Sequence, residues 1–434
     1  MKKRITKIWQ NNIIYLVDTV LKNEGRKTMK PKKSILSIVK GDIQETPSSY
    51  SSKDFNTVKN MIVKSLKLIG VTDSFFKGVN NVIIKPNLVE VPYKTAGGSV
   101  LTDPRILEAL VSILKDYGIN QVLVGEGKSV NLKHINSGAR KAFEQSGLAE
   151  VVRRAGGEII AWDEEPFISV DVPGGELLDK INIPKSILEA DLFINVPKLK
   201  THGQTEVTFG IKSMQGVYSV DDKVKFHNES FPWKMVDILR IAKPHLTIVD
   251  GLICGEGYGP IYTSPVDMGL IVSSEDVVSI DAVCSAIIGI DPIEVPITRL
   301  AHTEGIGVGD LSNIEIKGKS IKDVRKYFKR SGIWNPIGYS NKVKIFAGGA
   351  CRFGLAQIGA TIKRLELDGV LNNLEEICVI IGHNAPIPVR KFKHIYIIGD
   401  CAKDYPLKGK FIPGCPPLPS ISIVNEFKKH IKKG

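Results

Sequence analysis

Residues 191–212 read DLFINVPKLKTHGQTEVTFGIK, an apolar strand followed at once by a polar, lysine-rich loop. The run from Leu192 to Val196 has the length and apolarity of a buried strand, and Pro197 ends it because proline cannot donate to a ladder. Lysines, hydroxyls and a histidine then follow, at the end of the strand where ligands bind in open α/β sheets. The stretch therefore predicts a parallel α/β sheet with functional groups at its carboxyl edge.

The alternation of strand and helix patterns continues on both sides of this stretch. Apolar runs predict strands near residues 35–42, 82–84, 121–124, 246–250 and 269–272. Apolar residues at helical spacing predict helices near residues 55–68, 104–117, 139–155 and 276–288. A glycine-rich loop is expected at 251–259. Because most connections are too long for hairpins, we predict an α/β fold with a doubly wound, mostly parallel sheet.

Changes in composition divide the chain into four segments. Residues 1–33 form a basic leader or extension, 34–316 the doubly wound domain, and 317–342 a linker rich in lysine, arginine and glycine. In residues 343–434, three short apolar runs each lead into glycine and a polar or sulfur-containing residue. We expect a second, smaller C-terminal α/β domain there.

Charge and hydropathy exclude several classes of protein. The 434 residues carry a net charge of +13, but residues 1–40 hold eleven lysines and arginines against two acidic residues, so the body has too little excess charge to track nucleic acid. The sequence contains no run of about 20 apolar residues, the length needed to cross a membrane.

The leader lacks a small-residue cleavage site, so a signal peptide is not expected. Two interpretations of the leader remain, an amphipathic surface helix or an extension before Met29. With only six cysteines, we expect a cytoplasmic protein without a disulfide framework. We also expect a homo-oligomer.

The ends of the predicted strands supply a candidate site for an anionic small molecule. Clustered lysines suit a carboxylate or phosphate, and burial lowers the pKa of lysine toward acid–base use. The predicted catalytic residues are His202, Lys198, Lys212 and Glu126, with His202 as the proton carrier. The predicted substrate-binding residues are Lys85, Asn87, Lys200, Thr201 and Glu256. Two alternatives stay open: Lys85 and Lys198 cap backbone carbonyls, and His227 is either a metal ligand or a surface histidine.

Three cysteines of the C-terminal segment lie in glycine-containing loops. The loops are GGACRFG at 348–354, GDCAKDY at 399–405 and PGCPPLP at 413–419. Backbone N–H groups in such loops stabilise thiolate and sulfide charge, so we predict that Cys351, Cys401 and Cys415 hold an iron–sulfur cluster. His383, His394 or a partner chain would complete it. The alternatives are three ordinary thiols or a redox pair. The second and third loops resemble cluster-binding segments in the small subunits of nickel–iron hydrogenases and their respiratory complex I relatives.

A series of motifs between residues 80 and 310 resembles the family known as domain of unknown function 362. The motifs are IKPN at 84–87, TDPR at 102–105, VPKLKTH at 196–202, GIK at 210–212, DG at 250–251 with EG at 256–257, and SEDVVSID at 274–281. The resemblance implies an α/β fold. Members of the family are often attached to iron–sulfur modules.

A looser resemblance concerns the spacing of His202, Lys212 and His227. In the nickel-pincer lactate racemase family, a histidine is followed ten residues later by the lysine that holds the cofactor and about fifteen residues later by a metal-binding histidine. The same spacing occurs here. This resemblance implies a nickel or other metal cofactor at these three residues.

Together these patterns favour an iron–sulfur-associated oxidoreductase that acts on an anionic small organic molecule in a Lys/His cleft, with a redox partner protein. One alternative is a metal- or nickel-pincer-type racemase or isomerase of hydroxy acids. Another is a non-catalytic iron–sulfur or ligand-binding protein.

Overall fold

The computed structural model of the protein describes residues 33–43, 51–89, 98–128, 138–417 and 420–432. The predicted leader, apart from Lys33, lies outside the described residues. None of the helices in the described ranges is long and apolar enough to span a membrane.

Ten strands of the described ranges form one large sheet, and two more form a small separate ribbon. The strands are β1 Ser34–Lys40, β2 Asn81–Pro86, β3 Gln121–Glu126, β4 Glu158–Ala161, β5 Phe167–Asp171, β6 Lys180–Pro184, β7 Leu192–Val196, β8 Lys198–His202, β9 Glu206–Thr208, β10 Leu246–Tyr258, β11 Tyr262–Ser274 and β12 Ile314–Gly318. The large sheet has the order β12-β1-β11-β10-β7-β2-β3-β4, with β8 paired to β10 and β9, while β5 and β6 form the ribbon. Strands β10, β7, β2, β3 and β4 are parallel to one another, whereas β11 is antiparallel to β1 and β10.

Helices follow most of the strands. They are α1 Ser52–Leu68, α2 Pro104–Asp116, α3 Ala139–Ser146, α4 Leu148–Arg154, α5 Lys185–Glu189, α6 Gly210–Ser213, α7 Val220–Val224, α8 Phe231–Ile241, α9 Val277–Ile287, α10 Pro296–Thr303, α11 Ile321–Val324, α12 Arg352–Leu367 and α13 Ser420–Lys428.

Both faces of the large sheet are covered by helices. Along β2, Ile84 lies in a core formed with α1 and α2, while its neighbour Ile83 lies in a different core formed with α8. Ile194 and Phe193 of β7 divide between the same two cores. A strand buried on both sides is what a doubly wound sheet requires, so the predicted fold class is confirmed.

A second, smaller sheet follows in the C-terminal segment. Its strands are β13 Val343–Ala347, β14 Ile377–Ile381, β15 His394–Ile398 and β16 Lys410–Ile412, all parallel and in that spatial order. Helices α12 and α13 cover one face through Ile358, Ile362 and Phe427. Since the strands are parallel, the loops that follow them emerge at one edge.

Two local predictions differ from the structure. The expected helix 139–155 is two helices, because Gly147 adopts a φ of 78° that favours glycine and breaks the helix. The expected loop 251–259 is wrong: β10 continues to Tyr258 and pairs with β11 as a long antiparallel hairpin, with a register shift between Gly251 and Ile253. Glycine is depleted in strands, which is why the sequence indicated a loop.

Residues of the predicted linker pack against the large sheet. The Lys329 amide donates to Glu256 Oε2 at 2.9 Å, and the Lys329 carbonyl accepts from the Gly257 amide at 2.8 Å. The domain boundary at 317–342 stays a prediction.

A buried charge network joins β8, β10 and the start of α2. Lys198 Nζ lies 2.8 Å from Asp250 Oδ2, and neither side chain is exposed. The same oxygen accepts the Asp103 amide at 2.7 Å. Arg105 in turn donates twice to the Asp103 carboxylate, at 2.9 and 2.7 Å. Three elements that position the site are thereby tied to one another.

We expect Lys198→Met to destabilise the protein strongly, because it leaves the buried Asp250 carboxylate without its cation. Breaking a buried ion pair costs about 3–5 kcal/mol. The measurement is the free energy of unfolding in urea. The matched control is Lys185→Met, which removes an exposed pair with Glu189 and should cost less than about 1 kcal/mol. Equal losses in the two variants would contradict the assignment.

Candidate functional site

A buried ion pair connects the ends of β2 and β3. Lys85 Nζ lies 2.5 Å from Glu126 Oε2 and 3.4 Å from Ser213 Oγ. The other carboxylate oxygen accepts the Gly127 amide at 2.9 Å. A Cβ on Gly216 would stand 1.9 Å from Glu126 Oε1, so the close approach of this loop to the pair requires glycine.

Lys212 lies beside this pair. Its side chain is half-buried, and among the described residues its amine has no hydrogen-bond partner. Burial lowers the pKa of Lys212 to about 8; the cations of Lys85 and Lys223 contribute, and Glu126 opposes them. The amine therefore carries a positive charge at neutral pH but can release its proton readily.

Two neighbouring elements hold the short helix α6, which carries Lys212. The Asp281 carboxylate of α9 accepts the Ile211 amide at 3.2 Å, and Asn195 of β7 donates to the Gly210 carbonyl at 2.9 Å. Burial raises the pKa of Asp281 to about 8. These contacts fix the direction in which the lysine leaves the helix.

Lys223, which sequence reasoning missed, adds a third cation to the group. Its amine donates to the Lys128 carbonyl at 2.8 Å, and burial lowers its pKa to about 8. Glu126 again opposes the shift. Lys223 stands among Asp221, Asp222 and Lys225, a pattern typical of a solvated surface, so the sequence carries no signal of its burial.

His202 is buried at the end of β8 as a neutral ring. Nδ1 accepts the amides of Gln204 at 3.0 Å and Thr205 at 3.4 Å, which assigns the ring proton to Nε2. Burial and the cations of Lys212 and Lys200 hold the pKa of His202 well below its usual value. Within the described ranges Nε2 has no hydrogen-bond partner, so it presents an N–H donor.

His227 lies between two glutamines that sequence reasoning did not single out. Its Nδ1 is 2.8 Å from Gln215 Nε2, and its Nε2 is 3.1 Å from Gln204 Oε1. The rings of Phe231 and Phe353 meet it edge-on, with centroids at 5.0 and 5.4 Å. Burial and nearby lysines lower its pKa to about 3. Both ring nitrogens are thus engaged.

The other predicted residues hold the surrounding backbone or, like Lys198, pair with a buried acid. Lys200 Nζ donates to the carbonyls of Val100 at 2.8 Å and Pro260 at 3.0 Å. Asn87 Nδ2 also donates to the Val100 carbonyl, at 2.7 Å. Thr201 Oγ1 donates to the Gly257 carbonyl at 2.9 Å. Glu256 accepts an amide of the 317–342 segment.

The structure therefore brings five residues together, and we call this group the Lys212 site. Its members are Lys85, Glu126, Lys212, Lys223 and His202. The remaining predicted residues lie around the group and hydrogen-bond to the backbone or to a buried acid.

The start of α12 connects the smaller sheet to this site. Arg352 Nε donates to the Gly203 carbonyl at 2.8 Å, and its Nη1 pairs with Glu206. Phe353 packs against His227. The Arg352 charge also contributes to the lowered pKa of His202. Sequence reasoning missed Arg352 although it directly follows Cys351.

The three predicted cysteines lie at the edge where β13, β15 and β16 end, which we call the cysteine edge. Cys351 Sγ accepts the Gly354 amide at 3.4 Å, Cys415 Sγ accepts from Asn228 Nδ2 at 3.7 Å, and Cys401 accepts from the Gly382 backbone. Burial raises the pKa of Cys351 and Cys401, and the nearby Cys415 adds to both shifts. The structure thus gathers the cysteines and supplies each sulfur with an N–H donor.

Among the described residues, no three His, Cys, Asp or Glu side chains stand close enough together to hold a metal ion. A single ion needs all its ligands in direct contact with it. An iron–sulfur cluster instead binds each thiolate at a different iron, and hydrogen bonds to the sulfurs tune it. Cys351, Cys401 and Cys415 lie along one edge of the smaller sheet, and each sulfur accepts an N–H donor of the kind that ligands of a cluster use.

Known proteins that are similar to this chain include one curated relative and two solved structures. A thylakoid-associated protein of Synechocystis sp. is 26% identical over 249 residues, which cover 56% of this chain and 73% of the relative. A crystal structure of a Thermotoga maritima protein has a TM-score of 0.30 and 13% identity over 55% of this chain and 57% of its own. The lactate racemase apoprotein of Thermoanaerobacterium thermosaccharolyticum has a TM-score of 0.32 and 13% identity over 51% of this chain and 52% of its own. This chain thus matches little more than half of either structure, and scores this low do not establish a common fold.

The Lys212 site and the cysteine edge differ in their relation to known families. The cysteine edge lies outside the matched region. Residues 82–286, which supply all five residues of the Lys212 site, match the family model described as "Domain of unknown function (DUF362)".

Proposed function

We propose that the protein binds a small organic anion at the Lys212 site and reduces it with electrons that arrive through an iron–sulfur cluster at the cysteine edge. The observation that carries the proposal is the charge around Glu126. Glu126 faces the ammonium groups of Lys85, Lys212 and Lys223, and the Asp163 carboxylate also acts on Lys223, so three cations stand against two carboxylates among these described residues. A buried group of cations in excess of its anions favours an anionic ligand.

Hydrogen-bond donors without acceptors support the same interpretation. Among the described residues, the Lys212 amine and His202 Nε2 have no hydrogen-bond acceptor. Two buried nitrogens, Gln204 Nε2 and Arg352 Nη2, also have no hydrogen-bond partner there. Leaving buried donors unsatisfied costs about 1–3 kcal/mol each. A carboxylate has acceptor oxygens only, so it would satisfy several of these donors at once.

Lys212 is a better proton carrier than His202. The sequence favours His202 for this role, but burial keeps its ring neutral and its Nε2–H acts as a hydrogen-bond donor toward a developing oxyanion. Lys212 has its pKa near the working range of an acid–base catalyst. Reduction of a C=O or C=C bond takes two electrons and two protons. Lys212 would deliver protons and regain them from solvent, and a reduced carrier protein would supply the electrons one at a time.

The cysteine edge would hold the electron-transfer group. Cys351, Cys401 and Cys415 are the ligands, and their N–H donors stabilise thiolate charge. A bound cluster supplies single electrons. Phe353 and Arg352, which directly follow Cys351, contact His227 and the loop after His202, so the edge adjoins the anion site.

Two other functions stay proposals. A racemase with a nickel or other metal cofactor would use His202, Lys212 and His227, but both ring nitrogens of His227 are occupied by glutamines. A non-catalytic iron–sulfur or ligand-binding protein would need the cysteine edge without proton transfer. The cytoplasmic location, the redox partner and the homo-oligomer also stay predictions.

We expect Lys212 to react as a free amine at unusually low pH. Its rate of trace acetylation by acetic anhydride, followed by peptide mass spectrometry, should rise with a midpoint near pH 8, because burial disfavours the protonated form. In the urea-unfolded chain the midpoint should return to about 10.4. Lys212→Met confirms the identity of the labelled peptide.

Addition of oxalate should slow acetylation of Lys212 in the folded protein. A bound carboxylate stabilises the ammonium form and covers it. Exposed Lys141 is the internal control, since its labelling should not respond to oxalate. Equal labelling of Lys212 with oxalate, phosphate or no anion would contradict anion binding there.

We expect the protein purified without oxygen to contain iron and acid-labile sulfide. The double variant Cys401→Ser and Cys415→Ser should lose most of both, together with the visible absorption, because two of the three thiolates are gone. The matched control is Cys284→Ala, which changes a buried cysteine of α9 outside the smaller sheet and should retain iron, sulfide and absorption. Iron and sulfide content that is equal in the two variants would remove the cluster from the proposal.

A further inference from the structure

We infer that His383 is the fourth ligand at the cysteine edge, which makes the proposed cluster site one of three cysteines and one histidine. The inference rests on the proposed function only in that a cluster binds there. Its grounds are the topology of the smaller sheet and the contacts of His383.

Each strand of the smaller sheet is followed at the same edge by glycine and then by a potential ligand. Cys351 follows β13, His383 follows β14, Cys401 follows β15 and Cys415 follows β16. Because the four strands are parallel and adjacent, their following loops lie side by side. His383 thus occupies, after β14, the place that a cysteine occupies after each of the other strands.

Contacts place the His383 ring among the cysteine loops. A Cβ on Gly349, two residues before Cys351, would stand 2.6 Å from His383 Nε2, so the ring lies directly over that loop. The backbone of Gly382, the residue before His383, donates to the Cys401 sulfur. The imidazole thus lies against the loop of Cys351, and it directly follows a residue that contacts Cys401.

The loop before α8 also reaches the cysteine edge, because Asn228 Nδ2 donates to the Cys415 sulfur at 3.7 Å.

His394 is unsuited to the same role. It opens β15 and so lies at the opposite, amino edge of the sheet. Its Nε2 is 2.5 Å from Glu375 Oε2, and its ring stacks on His430 at 3.7 Å. The sequence leaves both histidines as candidates, and the structure separates them by the length of a strand.

Histidine ligation would change the electronic properties of the cluster. A neutral imidazole in place of a thiolate raises the reduction potential of an iron–sulfur centre. The centre would then accept electrons from a weaker reductant than an all-cysteine cluster requires.

The test compares His383→Cys, His383→Ala and the matched control His394→Ala, all purified without oxygen from cells supplied with ¹⁵N-histidine. Pulsed electron paramagnetic resonance of the reduced protein reports a nitrogen bound directly to iron. We expect wild type and His394→Ala to show a strong ¹⁵N coupling. His383→Cys should keep its iron, lose this coupling and have a lower reduction potential, whereas His383→Ala should lose iron. Far-ultraviolet circular dichroism checks that each variant is folded.

Two results would overturn the inference in distinguishable ways. Iron and sulfide in wild type without a ¹⁵N coupling, or a coupling that persists in His383→Cys, would remove His383 and leave the proposed function intact. An absence of iron and sulfide from wild type would remove the cluster and this ligand together.

Discussion

The excess of positive charge around one buried carboxylate is the constraint on which this account depends. Lys85 neutralises Glu126 directly, and the amines of Lys212 and Lys223 then stand near the same pair with depressed pKa values. Burial of like charges destabilises a fold unless something compensates. An anionic ligand supplies that compensation, so binding and stability are coupled at this site. The fold tolerates the arrangement because β2, β3 and α6 are each fixed by contacts elsewhere.

The smaller sheet is linked to the Lys212 site by the start of α12, the helix that follows its first strand. Arg352 and Phe353, immediately after Cys351, reach the loop that fixes the His202 tautomer and the aromatic surroundings of His227. The loop carrying Asn228 contacts the cysteine edge through the Cys415 sulfur. Chemistry at the cysteine edge is thus adjacent to the Lys212 site through side chains already in contact. This adjacency is the structural reason to treat the two sites as parts of one function.

Sequence patterns predict the fold well and the site in part. Apolar periodicity and strand-ending prolines locate most elements, and the ends of β2, β3 and β8 contribute Lys85, Glu126 and His202 as expected. The sequence does not separate lysines that face a ligand from lysines that support the fold, because the two kinds differ only in their tertiary partners. Lys198 pairs with Asp250, whereas Lys212 has no partner among the described residues. Lys223, Gln204 and Gln215 carry no local signal at all. The glycines of β10 indicate a loop because glycine disfavours strands, yet long-range pairing with β11 prevails.

The most direct measurement is a crystal structure of the protein, grown without oxygen, with oxalate bound at saturation. We predict an oxalate carboxylate within about 3 Å of both Lys212 Nζ and His202 Nε2. The Lys85–Glu126 pair should be unchanged beside it. A structure in which a carboxylate of the chain itself neutralises Lys212, with no oxalate at the site, would contradict the account.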